Sequence, residues 1–497
     1  MSDNCSTSPE RATGICNEPP LDYIFHPRSI AVVGLSTEPA KAWLSDCYIT
    51  PMVNMGFKGP LYVINSKGGE IAGFSVYKRL QDVPGPVDHL VSCIPAEFTA
   101  DLLEECVAKG VKVIQFYTAG FAETGLKEDL QLQAKLLDIA RRGGLRLIGP
   151  NCMGIYCPQS GVGFCPDFPA ETGPIGLLCQ SGGNTGYIVR SVAARGLRFS
   201  KVVSYGNACD INECDLLEYM ADDPETTVIA VYIEGTRDGR RLLDSLARAA
   251  SAKPVVILKG GHTPGGSRAT ASHTGSLAGV DAVWDGLLAQ AGAIRVHSVE
   301  AMADVLVAIL GMRVPRGINT CVVGLGGGAN VLATDDCEQA GLRLPPIPPG
   351  IADRVETLIP RAGGMLTNPL DAFPMVGSPE GWRKLVPILD DWSELDLVIF
   401  HYAFGGPPVP ASHATIEPAL RPMLSAAKTS RLPVAVVLHS TPNNDSWQAS
   451  LKVQEMVLET ELPLFTSMGG AAHAIRRVTE FNSANPGRLP RLQSQDR

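Results

Sequence analysis

The feature that most constrains this chain is a repeated design. Residues 177–199, "LLCQSGGNTGYIVRSVAARGLRF", align without gaps on residues 322–344. Gly183 falls on Gly328, and Gly196-Leu197-Arg198 falls on Gly341-Leu342-Arg343. Each copy reads as an apolar strand, a glycine turn, a helix and a Gly-Leu-Arg exit. Strand followed by helix, repeated, builds a parallel sheet with helices on its faces, because parallel neighbours need a long crossover connection. The shared exit at one constant offset points to an internal duplication rather than to the general likeness of α/β units.

The remaining sequence follows the same grammar. "SIAVVGL", "LYVIN", "HLVSCIP", "VKVIQFY" and "LRLIGPN" form a first group of short apolar runs, bounded by Gly, Pro or Asn. Continuous apolar runs of this kind mark parallel strands buried on both faces. The second group runs from "GPIGLLCQSGGNTG" through "TVIAVYIEG" to "PVVILKGG", and the third from "NTCVVGLGGGAN" through "DLVIFHYAFG" to "LPLF". A chain of 497 residues is too long for one core, and about 150 residues per domain gives three. The expected division is 23–157, 165–312 and 316–480, with linkers at 158–173 and 311–317. The flanks 1–22 and 481–497 read as disordered tails, and the first has neither the basic start nor the apolar run of a signal peptide.

Composition excludes several partners. The net charge is −9 and no basic run exists, so nucleic acid and anionic membrane are not expected. No apolar stretch approaches ~18 residues, so no membrane span is expected. The 13 cysteines are odd in number and never spaced C-x-x-C, which argues against a disulfide scaffold or a metal centre and for a reducing, cytoplasmic setting.

Three places carry chemistry. The glycine turns Ser181-Gly182-Gly183-Asn184 and Gly326-Gly327-Gly328 each stand between a strand and a helix. Backbone N–H groups converge there, and the helix N-terminus adds partial positive charge, so each suits an anion. Two such turns in duplicated units suggest one phosphate held between two helix ends. The first strand of the chain ends at Gly34 without G-x-G-x-x-G, and the second ends in "NSK" with Lys67 where a dinucleotide enzyme places an acid. That cation favours a phosphorylated nucleotide other than NAD and counts against an oxidoreductase. Finally, His273 stands among small residues in "SRATASHTGSLAG", after a long glycine-rich stretch suited to a mobile loop. Neutral imidazole is a good nucleophile near pH 7. Glu234, in "YIEG" at another strand end, is placed to hold Nδ1–H and leave Nε2 free to attack.

Taken together, "SHTGSLAG", "GPNCMG", "CQSGGNTG", "VSYGNACDINECDLLEYM", "YIEGTRDGR" and "NPLD" resemble the NDP-forming acyl-CoA synthetases of the succinyl-CoA synthetase superfamily. Within them the likeness is to the α subunits of ADP-forming acetyl-CoA synthetases, and it covers residues 25 to 475 in order. The resemblance implies an α/β fold: a Rossmann-like CoA-binding domain followed by two flavodoxin-like domains. It implies that His273 carries a phosphoryl group oriented by Glu234. It also implies that coenzyme A lies along Gly34, Ser36, Lys67, Pro95, Ala96, Thr118, Gly120 and Asn151. The chain departs from the pattern at "AKAWLSD", where Lys-Val-Gly is common, and at "NSK", where "NPK" is common. No ATP-grasp module or G-x-x-x-x-G-K-[ST] is present. ATP, ADP and magnesium are therefore expected on a separate ATP-grasp β-type subunit in a hetero-oligomer, with a carboxylic acid and its acyl-CoA as substrates. The rival from another class is a non-catalytic CoA or acyl-CoA regulatory protein, which would need neither the His–Glu pair nor the phosphate turns.

Overall fold

The computed structural model describes residues 21–36, 38, 43–274, 279–360, 365–403, 413–439 and 444–490; for 271–274, 403, 413–416 and 444–449 it describes the backbone alone. The chain forms two compact units. Of the described residues, the first comprises 21–167, Ser204–Asn212 and 272–274, and the second Phe168–Val203, Glu213–Ala271 and the chain from 279 on.

In the first unit the strands are β1 (Ile30–Val33), β2 (Leu61–Ile64), β3 (Glu70–Ile71), β4 (Phe74–Tyr77), β5 (His89–Ser92), β6 (Val113–Phe116), β7 (Arg146–Ile148) and the short β8 (Gly154–Tyr156). Seven of them form one sheet in the order β3-β4-β2-β1-β5-β6-β7. Its parallel strands follow the doubly wound order 3-2-1-4-5-6, and β3 pairs antiparallel at the edge. β1, β5 and β6 are buried along their whole length; β1 is wholly apolar, and the polar His89 and Gln115 enclosed in β5 and β6 face each other at 3.2 Å. The helix Lys127–Gly143 shows why such a crossover forms. Leu136, Ile139 and Ala140 bury one stripe, acids fill its first turn, arginines fill its last, and Gly144 closes it at φ +66°.

The second unit holds two sheets. β9 (Ile175–Cys179), β10 (Phe199–Ser204), β11 (Val228–Ile233), β12 (Val255–Lys259) and β13 (Ile294–Val296) lie in the order β13-β12-β11-β9-β10. β14 (Thr320–Gly324), β15 (Met365–Leu366), β16 (Leu370–Asp371), β17 (Leu397–Ala403), β18 (Val434–His439) and β19 (Leu464–Phe465) lie in the order β15-β16-β14-β17-β18-β19, with β15 antiparallel at the edge. Each sheet contains the order 2-1-3-4-5 of flavodoxin-like folds, so the duplicated design in the sequence has become a duplicated topology. Between them runs the helix Val299–Gly311, apolar apart from Glu300 and Asp304, with Met302, Leu306 and Ile309 fully enclosed. It packs on the helices Gly182–Ala193 and Met468–Ala484 and on strands of both sheets. A buried ion pair reinforces the junction. Arg195 meets Asp304 at 2.9 Å and also donates to the Leu464 carbonyl and the Thr466 hydroxyl.

Two local expectations are corrected. The stretch before His273 is not a loop but the helix Pro264–Thr274. Pro264 presets φ in its first turn, the Thr263 hydroxyl accepts the Gly266 N–H at 3.1 Å, and the arginine and alanines that follow favour helix over the two glycines. The tail expected from 481 begins later. The last helix runs to Ala484 because Phe481 is buried, and Leu489 is buried beyond it. Residues 1–20 and 491–497, the remainder of the expected tails, lie outside the described residues.

Candidate functional site

In the first sheet the connections leave β1 in opposite directions, toward β2 and toward β5, which opens a crevice at their carboxyl ends. Gly34 sits there at φ +94°. A Cβ on it would lie 2.8 Å from Ile94 Cγ2 and 2.9 Å from the Cys93 carbonyl carbon, so only glycine fits. From this contact a chain of hydrogen bonds crosses the crevice. The Thr118 hydroxyl donates to the Ile94 carbonyl at 2.5 Å, and the Asn151 N–H donates to the Thr118 carbonyl at 3.0 Å. Asn151 holds φ +59°, and a Cβ on Gly120 would meet that of Ala96 at 3.5 Å. Pro95 leads into the short helix Ala96–Phe98. On the β2 side, Asn65 donates to the Leu35 carbonyl and accepts the Lys67 N–H at 2.9 Å. Lys67 reaches Glu38 at 3.3 Å with most of its side chain in solvent, and Ser36 accepts the Glu38 N–H. The strand ends thus bring all eight crevice residues of the sequence reading together. Asn65 and Glu123 join them unforeseen. The Glu123 carboxylate accepts the Gly120 and Phe121 N–H groups and binds the Asn207 amide.

In the second unit, Ser181 caps the helix Gly182–Ala193 by accepting the Asn184 N–H at 3.4 Å, and Gly183 faces open space. A Cβ there would meet nothing within 4 Å, so an incoming group can approach the backbone. Glu234 follows β11 and is buried. Its N–H and that of Gly235 both donate to the Gln180 side-chain oxygen, at 2.7 and 3.2 Å, while the Tyr232 hydroxyl donates to its carboxylate at 3.1 Å. Burial, followed by the charge of Glu234, drives the Tyr232 pKa far above its ordinary value, so this hydroxyl remains a donor. Burial also pushes the Cys179 thiol up to about 12, which removes it as a nucleophile. The adjacent strand β12 ends at Lys259 and leads through Gly260 and Gly261 into the helix Pro264–Thr274. His273 lies in the last turn of that helix. Its side chain, and residues 275–278 of the same motif, lie outside the described residues.

The second glycine turn shares the open backbone, Gly328 matching Gly183, but differs at its cap, where Gly326 at positive φ replaces the extended Ser181 and offers no side-chain cap. Gly326 adopts φ +124° before the helix Gly327–Gln339, and Cβ atoms at Gly326 and Gly328 would meet nothing within 4 Å. Asp371 Oδ1 fixes the turn by accepting the Gly326 and Phe373 N–H groups, each at 3.0 Å. At the neighbouring strand ends the His401 and His439 rings meet edge to face, 4.7 Å apart. Burial lowers both, His401 to about 3, so both are neutral near pH 7. Among the described residues no group of three acidic, histidine or cysteine side chains could hold a metal ion. Nor is any helix there long and apolar enough to cross a membrane.

Gln180 and Asp371 had no assigned role in the sequence reading. A polar side chain directly after an unbroken apolar run was the signal for Gln180. For Asp371 it was "NPLD" at a strand end.

Residues 28–158 match a CoA binding domain, and residues 172–309 match a succinyl-CoA ligase like flavodoxin domain. The chain is 36% identical over 329 residues to the acetate–CoA ligase (ADP-forming) I subunit alpha of Pyrococcus furiosus, covering 65% of this chain and 71% of that protein. It is 33% identical over 379 residues to the corresponding II subunit alpha of the same organism, covering 76% and 81%. Among solved structures it is similar to acetyl-coenzyme A synthetase 1 of Ca. Korarchaeum cryptofilum in complex with phosphate and ADP. That similarity has a TM-score of 0.77 and 28% identity, and covers 94% of this chain and 97% of the other.

Proposed function

Since the chain belongs to the α-type subunits of the ADP-forming acyl-CoA ligases, we propose that it makes an acyl phosphate from acyl-CoA and phosphate, moves the phosphoryl group onto His273, and runs the same steps in reverse for synthesis. The observation that carries this reading is the setting of Glu234. It is buried at the end of β11, fixed by Gln180, and beside the capped N-terminus of Gly182–Ala193. The next strand, β12, feeds directly into the helix that bears His273. A non-catalytic regulatory protein has no need for a buried carboxylate held by Tyr232 at a backbone fixed by Gln180.

In the breakdown direction, a phosphate oxygen attacks the thioester carbonyl and CoA leaves as the thiol. His273 Nε2 then attacks phosphorus, the P–O bond to the acyl group breaks, and the carboxylate departs. Glu234 holds Nδ1–H, which fixes the tautomer and stabilises the charge developing on the ring. Ser181-Gly182-Gly183-Asn184 and Gly326-Gly327-Gly328 offer backbone N–H groups and helix dipoles to the phosphoryl oxygens. Coenzyme A is bound by the first unit, in the crevice of Gly34, Ser36, Lys67, Pro95, Ala96, Thr118, Gly120 and Asn151, where Lys67 meets a phosphate. Three domains carry these roles: 23–157, 165–312 and 316–480. ATP or ADP, with magnesium, binds a separate ATP-grasp subunit that exchanges the phosphoryl group with His273, and the assembly works in the cytoplasm.

The test is incubation of the purified chain with acetyl-CoA and radiolabelled phosphate. The expected product is a phosphoramidate, labile in acid and stable in alkali, absent from His273→Ala. Label that survives acid, or that persists in His273→Ala, overturns the assignment. ATP-dependent thioester synthesis by this chain alone overturns the separate subunit.

A further inference from the structure

Two aromatic rings stand beside the crevice of the first sheet, apart from the residues named for it. Tyr117 directly follows β6 and precedes Thr118, and its N–H donates to the Ser92 carbonyl at 3.0 Å. Its ring meets that of Tyr48 edge on, with centroids 6.0 Å apart and planes at 72°. Tyr48 is buried, and its hydroxyl donates to the Met153 carbonyl at 3.2 Å, so it is a fixed support. Tyr117 also meets Trp43 edge on, at 6.0 Å and 69°. Trp43 opens the helix Trp43–Tyr48, and 48% of it is exposed. It lies in "AKAWLSD", where the sequence departs from Lys-Val-Gly, so an indole stands where that pattern has glycine.

A half-exposed indole, steadied by a second ring, offers a flat face that another planar ring fits best. Two such rings are candidates: the adenine of coenzyme A, and an aryl group carried on its thioester. Strand order separates them. With Lys67 as the phosphate contact after β2, the distance to Tyr117 after β6 is three strand spacings in the order β2-β1-β5-β6, about 14 Å. Adenine is joined to its phosphates through one ribose and stays near Lys67. The pantetheine arm is the long part of the molecule. It leads from the phosphates past Pro95 and Ala96 after β5 to Thr118 after β6, and its thioester ends beside Tyr117.

Building on the coenzyme A crevice assigned above, we propose that Trp43 and Tyr117 are specificity-determining residues: they wall the acyl group, and the chain favours thioesters of planar aryl acids. A flat conjugated ring stacks on the open indole or meets it edge to face, as Tyr117 does. A saturated ring of similar size offers apolar surface without that electrostatic match, and an acetyl group covers little of the indole.

The experiment measures binding of benzoyl-CoA, cyclohexanecarbonyl-CoA and acetyl-CoA by calorimetry, for wild type, Trp43→Ala, Trp43→Phe and Tyr117→Leu, with folding checked by circular dichroism. Wild type is expected to bind benzoyl-CoA about 10-fold more tightly than acetyl-CoA, the scale of one aromatic contact, with the saturated ring between them. Trp43→Ala is expected to bring the benzoyl and acetyl values together, and Tyr117→Leu to narrow the gap. Trp43→Phe keeps a ring and is expected to retain part of the preference. Benzoyl-CoA is expected to quench indole fluorescence in wild type but not in Trp43→Phe, and coenzyme A, which brings adenine without an acyl group, to leave it unquenched. If Trp43→Ala does not fold, Tyr117→Leu is read in its place. A benzoyl preference unaltered in Trp43→Ala, equal affinity for the benzoyl and cyclohexanecarbonyl thioesters in wild type, or equal quenching by coenzyme A overturns the proposal. A wild-type chain that binds none of the three thioesters fails the crevice assignment instead, and the two failures are thereby distinct.

Discussion

The side-chain oxygen of Gln180 accepts the Glu234 backbone N–H at 2.7 Å, joining the end of β9 to the end of β11 where the sheet's connections part. The same oxygen takes the Gly235 N–H at 3.2 Å. Two donors at the turn after β11 depend on this one acceptor, and Glu234 takes its position from it.

Replacing Gln180 with leucine removes that acceptor and leaves both N–H groups buried. The expected cost is about 1–3 kcal/mol of stability, measured by urea unfolding, together with slower labelling of His273. Gln180→Glu retains an acceptor and is expected to recover part of the stability. Unchanged unfolding in Gln180→Leu would show that water replaces the side chain.

Glu234→Gln keeps the shape of the side chain and removes its charge. Phosphohistidine formation is expected to slow by about 10²- to 10⁴-fold, the scale for losing the group that orients a catalytic histidine. Coenzyme A affinity, measured by calorimetry, is expected to stay at the wild-type value. A parallel loss of both would place Glu234 in general structure rather than in the chemistry.

The crevice of the first sheet is tested separately. Lys67→Glu is expected to weaken coenzyme A binding by about 1–3 kcal/mol, one charge-assisted contact, without loss of stability, because the side chain is exposed. Gly34→Ala has the opposite character. Its methyl group collides with the backbone of Cys93 and Ile94 at a positive φ, so stability and binding fall together. Calorimetry with paired thermal unfolding separates the two, and a Lys67→Glu chain with unaltered affinity removes Lys67 from the site.

Arg195→Met is expected to destabilise the second unit by about 3–5 kcal/mol in chemical unfolding, because it strands Asp304 in the interior. Burial already raises the Asp304 pKa despite the arginine. The double variant Arg195→Met with Asp304→Leu is expected to recover much of the loss. No recovery would mean that the bonds from Arg195 to Leu464 and Thr466 matter more than the ion pair.

His401 sets a pH dependence. Its folded-state pKa of about 3 lies below the ordinary histidine value, so the unfolded chain binds a proton first as pH falls. Stability from this residue is whole above pH ~6.5 and declines between there and the folded value, by up to about 1.4 kcal/mol per pH unit. His401→Phe is expected to flatten that slope in unfolding measured from pH 7 to pH 4.5. An unchanged slope would assign the acid sensitivity to other groups.

Much of this was legible in the sequence. Unbroken apolar runs ending in glycine or asparagine gave the three sheets, since a strand buried on both faces tolerates no polar alternation. Gly34, Gly183 and Gly328 were legible because glycine at a strand end marks close approach or open backbone. The helix Pro264–Thr274 was not. Its glycines weigh toward loop, while Thr263 and Pro264, which start the helix, form a short and easily missed signal.

The sequence by itself determined the alternation of strands and helices, the duplicated glycine turns and the identity of the reactive residue types, because burial and backbone freedom are written residue by residue. Only the tertiary structure decided that Gln180 holds Glu234 and that Arg195 finds Asp304. These bonds join residues far apart in the chain. Their existence depends on which strands become neighbours and in what register, and strand order follows from the packing of whole sheets rather than from any local stretch.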